Sequence, residues 1–65
     1  MDVLYPDVTV ELSGEDGNAF VLMGVVTKAL RRAGHSDAIE SFREEAMSGD
    51  YDNLLRTCMK YVNVE

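Results

Sequence analysis

"KYVNVE", residues 60–65, decides what kind of domain this chain builds. Val62 and Val64 alternate with polar neighbours. Read as a strand, the segment can pair with "DVTVEL", residues 7–12; read as the last turn of a helix, it leaves 7–12 without a partner. The β-branched valines favour the strand, and the sequence leaves both continuations open. Residues 7–12 are less ambiguous. Val8, Val10 and Leu12 alternate with Asp7, Thr9 and Glu11, the period-two pattern of a strand with one buried face, and Pro6 marks its start.

Between these two segments the hydrophobic period changes to that of helices. "SGEDGN" (13–18) is a turn cluster, and "AFVLMGVVTKALRRAG" (19–34) reads as a helix capped by Asn18 or Asp16 and stopped by Gly34. Its first half is apolar on nearly every side. Phe20, Met23, Val26 and Leu30 can face one layer and Leu22, Val25 and Ala29 another, and such a helix needs cover on several sides. A second helix, "DAIESFREEAM" (37–47), has Ser36 as its expected N-cap, with Ile39, Phe42 and Ala46 as its inner stripe. A third begins after an Asp50 cap and carries Leu54, Leu55, Cys58, Met59 and Val62. The expected fold is therefore α+β: one small domain over residues 1–65, about three helices, and a short N-terminal strand available to a C-terminal one.

A 65-residue chain buries roughly 60% of its unfolded surface and is marginal without a supplement. Cys58 is the only cysteine, so no intrachain disulfide forms, and no Cys/His cluster offers a zinc site. Self-association is the supplement that remains, and Gly24 would let a second backbone approach the first helix closely. Twelve acidic against six basic residues give a net charge of −6, which disfavours non-specific nucleic-acid binding. The apolar run Ala19 to Val26 is far short of the roughly 20 residues of a membrane span. With a free thiol and no basic leader segment, the chain reads as cytoplasmic.

Two groups of residues carry candidate chemistry. The turn residues Ser13, Gly14, Gly17 and Asn18 precede a helix N-terminus, where free N–H groups can hold a phosphate or carboxylate. Glu15 and Asp16 would oppose an anion there, and the spacing is that of neither a P-loop nor a dinucleotide fingerprint nor an EF-hand; a plain capped turn is the simpler alternative. Lys28, Arg31 and Arg32, at i, i+3 and i+4, share one helix face, with Arg56 and Lys60 on the third helix. Such cations also complement a helix dipole and can pair with Glu40, Glu44 and Glu45. Cys58 reads as a packed core thiol and His35 as an exposed loop residue, so catalysis is not expected, and no cofactor or metal is implied.

The segments "GEDGNAF", "ALRRAG" and "SGDYDNLLRTCMKYV" resemble a group of small proteins of unassigned function from bacterial and bacteriophage genomes, from about Pro6 onward. The resemblance implies no activity and no functional residues. By analogy it favours a phage-type accessory protein, in the host cytoplasm, that binds rather than catalyses. Two functions fit. One is a self-associating protein that sequesters a small anionic, nucleotide-type ligand on Ser13, Gly14, Gly17, Asn18, Lys28, Arg31, Arg32 and Arg56. The other is an inhibitor or nucleic-acid mimic whose acidic face, Asp37, Glu40, Glu44, Glu45, Asp50 and Asp52, covers a basic host protein.

Overall fold

The computed structural model describes residues 3–12 and 17–65. Strand β1 (Tyr5–Val10) is followed by helix α1 (Ala19–Arg32), a single 3₁₀ turn (Ser36–Ala38) that runs into α2 (Ile39–Ala46), then α3 (Tyr51–Tyr61) and strand β2 (Val62–Val64). The C-terminal segment is a strand, and the domain is a small α+β fold. β1 and β2 pair in parallel, with Tyr5 opposite Val62, Thr9 opposite Asn63 and Val10 opposite Val64. Neighbouring hydrogen bonds extend the pairing: Leu4 N donates to Lys60 O at 2.9 Å and Glu65 N to Val10 O at 2.8 Å.

The first strand begins at Tyr5 rather than at Asp7, and Pro6 lies inside it. From Tyr5 to Thr9 β1 advances four residues while β2 advances one, from Val62 to Asn63. Pro6 falls in that irregular stretch, where its missing N–H breaks no regular ladder. Its carbonyl is satisfied by the Asn63 side chain, whose Nδ2 donates at 2.8 Å. Leu12, expected within the strand, lies beyond its end and is half-buried.

Helix α1 starts where Asn18 Oδ1 accepts from Phe20 N at 2.8 Å. It stops at Gly34, whose φ of +85° suits glycine. His35 N donates to Leu30 O and Gly34 N to Arg31 O, the paired bonds of a Schellman ending. The chain passes from there directly into the 3₁₀ turn, so Ser36 is not the cap that the sequence predicts: Ala38 N bonds the His35 carbonyl, and no side chain caps the turn or α2. Asp50 does cap α3, its Oδ1 accepting from Asn53 N at 3.0 Å.

Leu22, Met23, Val26 and Leu30 of α1 are buried against Val8 and Val10 of β1, Phe42 and Ala46 of α2, Leu54, Cys58 and Tyr61 of α3, and Val62 of β2. On α1, Val25 and Ala29 are partly buried against the same core. Phe20 is the departure: expected beside Met23 and Val26, it is 72% exposed. Met59 likewise points outward, while Thr57 is buried and spends its hydroxyl on Asn53 O at 2.8 Å.

Phe42 is fully buried at the centre, edge-on to Tyr61 with ring centroids 5.3 Å apart. Its truncation removes the largest fully buried side chain from a thin core. At about 0.05–0.15 kcal/mol per residue the whole domain holds about 3–10 kcal/mol, and Phe→Ala in a core costs about 3–5. Phe42→Ala is expected to remove about 3–5 kcal/mol, a large share of that stability, read as a steep fall of the urea midpoint by circular dichroism.

Candidate anion-binding groove

α2 runs back along α1, so that Arg43 comes beside Arg31 and Met47 beside Phe20. Between the two helices lies a trough of about 380 Å³, lined by Phe20, Met23, Gly24, Thr27, Lys28 and Arg31 of α1 and by Arg43 of α2. The α1 residues fall at helical spacing, one stripe of its surface. Gly24 is open, since a β-carbon there would meet nothing within 4 Å. Among the described residues no carboxylate lines the trough.

Helix dipoles account for cations at these positions: Arg31 and Arg43 stand in the last turns of their helices. They do not account for the missing partners. Among the described residues, the ion pairs within 4.0 Å are His35 with Asp7 and Lys60 with Glu45. Glu40 and Glu44 adjoin Arg31 and Arg43 along a neighbouring groove without pairing with them. Glu45 is taken by Lys60 at 2.8 Å, a hydrogen bond that raises the lysine's pKa above its ordinary value.

The sequence-predicted site residues are dispersed. Ser13 and Gly14 lie outside the described residues. Gly17 sits beside the Tyr51 hydroxyl, and Asn18 Oδ1 is engaged as the α1 cap. At 1.5 Å per residue, Asn18 and Arg31 are about 20 Å apart along α1, and neither Gly17 nor Asn18 lines the space that holds Arg31. Lys28 and Arg31 do come together. Arg32 turns to the other side, into a groove it shares with Lys28 against residues 7–10 of β1. Arg56, on α3, lines neither groove. Arg43 is the residue that sequence reasoning missed. It sits alone in an acidic helix, and only the antiparallel return of α2 places it opposite the basic end of α1.

The second polar feature is a tether. His35 Nε2 lies 2.9 Å from Asp7 Oδ2; a carboxylate only accepts, so Nε2 carries the proton. The imidazole also leans on the Tyr5 ring, centroids 4.5 Å apart. His35 is therefore partly covered and tied to β1 rather than a free loop residue. The bond from His35 holds the Asp7 carboxyl below its ordinary pKa, against a smaller opposing effect of desolvation. Cys58 is sealed in the core, and burial pushes its thiol pKa up, away from nucleophilic use.

Among the described residues no group of three or more His, Cys, Asp or Glu side chains could hold a metal ion, and no helix is long and apolar enough to cross a membrane. Compared with known proteins, the chain matches no family model, no curated protein and no solved structure.

A depressed carboxyl pKa stabilises the fold above the unfolded value, and that contribution disappears as pH falls through the folded value. Asp7→Asn is accordingly expected to lower the urea midpoint at neutral pH and to flatten its fall below about pH 4, the ordinary aspartate range. The check is a set of urea melts from neutral to acid pH on both proteins.

Proposed function

We propose that this chain is a non-catalytic binding protein that holds a small polyanion in the trough between α1 and α2. The observation that carries the reading is the trio Lys28, Arg31 and Arg43, gathered around one concavity with no carboxylate in its lining and no ion-pair partner among the described residues. A chain of net charge −6 has carboxylates to spare for every cation. Like charges around one concavity repel one another, and the nearby Glu40 and Glu44 make no ion pair with Arg31 or Arg43. An anion in the trough would offset that repulsion, and charge-assisted hydrogen bonds from guanidinium groups are the strong kind.

Binding rather than catalysis fits the lining. Among the described residues Thr27 supplies its one hydroxyl, and no histidine or carboxylate stands in it to act as a base. The rival reading, an acidic face presented to a basic partner, has less support. Two of its six carboxylates are engaged within the chain, Glu45 with Lys60 and one oxygen of Asp50 with the first turn of α3.

Inorganic tripolyphosphate, titrated by isothermal calorimetry at low salt, is the test. The wild type is expected to bind it saturably, and added salt to weaken the binding. Arg31→Ala and Arg43→Ala are each expected to weaken it at least tenfold, about 1.4 kcal/mol, with the helical signal unchanged. Arg56→Ala, away from the trough, is expected to bind as the wild type does. No binding, or equal losses at Arg56 and Arg31, would overturn the assignment.

A further inference from the structure

Resting on the trough reading above, we infer that the polyanion it holds carries a planar base, so that the ligand class is a nucleotide. Beyond Phe20 and Met23 lies a second concavity of about 280 Å³, between the start of α1, the end of α2 and the start of α3. Its principal walls are Phe20, Met23, Met47, Tyr51 and Leu54, and among the described residues its one charged side chain is Asp50. Phe20 and Met23 line both spaces, so the basic trough and the apolar cleft share a wall. One ligand can occupy both.

Three features of the cleft specify what enters it. Phe20, Met47 and Tyr51 are 72%, 59% and 43% exposed around the same opening. Large apolar side chains scattered singly on a surface need no explanation, but three around one cleft mark a binding surface. Two of them are aromatic, and an aromatic face is the platform on which a base stacks. The last feature is Asp50. Its Oδ1 caps α3, and its second oxygen makes no hydrogen bond among the described residues. That oxygen repels phosphate and accepts from an exocyclic amine, as carboxylates do with amino-bearing bases. The site is thereby polarised: base toward Asp50, phosphates toward Lys28, Arg31 and Arg43.

The span agrees with that polarity. Phe20 precedes Lys28 by eight residues and Arg31 by eleven, about 12 and 16 Å along the helix. Helical side chains as a rule tilt toward the N-terminus, which for long basic ones shortens such a gap. An extended nucleoside polyphosphate covers such a distance from base to terminal phosphate.

The experiment compares ATP with tripolyphosphate by calorimetry on the wild type and on Tyr51→Ala, a substitution at a half-exposed position that lines the cleft and not the trough. ATP is expected to bind the wild type at least tenfold more tightly than tripolyphosphate. Tyr51→Ala is expected to abolish that advantage while leaving tripolyphosphate affinity unchanged. Equal affinities for ATP and tripolyphosphate in the wild type, or equal losses for both in Tyr51→Ala, would overturn the nucleotide assignment and leave the anion trough standing. Binding of neither would overturn both.

Discussion

The parallel pairing of β1 with β2 is the constraint on which the rest of the structure depends. Antiparallel strands can be joined by a tight turn, whereas parallel strands need a long crossover. Here the crossover is the whole helical part of the chain. α1 must leave the end of β1, and α3 must arrive at the beginning of β2, which leaves α2 to reverse along α1 between them. A two-stranded sheet is too small to stand alone. Its Val8, Val10 and Val62 are buried against the helices, and the helices in turn close their common core on those valines.

The trough follows from that reversal. α1 ends in basic residues because a helix C-terminus favours them, and α2 carries Arg43 in its own last turn for the same reason. Because α2 is only eight residues long, its last turn falls alongside the middle and basic end of α1. The lysine that could have shared the acidic residues of α2 more evenly, Lys60, instead fixes Glu45 and links α3 to α2. Local charge preferences, combined by the topology, thus leave a positive patch on an acidic protein. No one segment encodes it.

What the sequence made legible follows the range of the interactions. The Asn18 and Asp50 caps, the Gly34 stop and the stripe of Phe42 and Ala46 are decided within a turn or two of chain, and each is visible as a residue type at a position. Ser36 looked equally good as a cap, but the ending of α1 occupies the neighbouring backbone and takes the decision away from it. The strand–strand pairing was readable as an alternation of valines; its parallel sense and the irregularity at Pro6 were not, because both depend on where α3 delivers the chain. The site was the least legible part. Lys28 and Arg31 were identifiable from their spacing, but their neighbour Arg43 is twelve residues beyond Arg31 and appears only once α2 folds back. Phe20, which the period of α1 assigns to the core, lies at the rim of the helix packing instead.

Gly49 and Asn53 hold the corner between α2 and α3. A β-carbon at Gly49 would come within 2.9 Å of the Asn53 side chain, which bonds Glu45 O across the corner. From that corner α3 runs eleven residues and passes into β2 with no connector. The helix therefore acts as a ruler for the sheet: adding or removing one residue between Asp50 and Val62 would rotate the strand by about 100° relative to the corner, at 3.6 residues per turn, and turn its valines away from the core. Many outward positions of α3 can change identity without touching this relation, but its length cannot change. Among descendants of such a chain, substitutions are expected to accumulate along α3 while insertions and deletions are excluded from it.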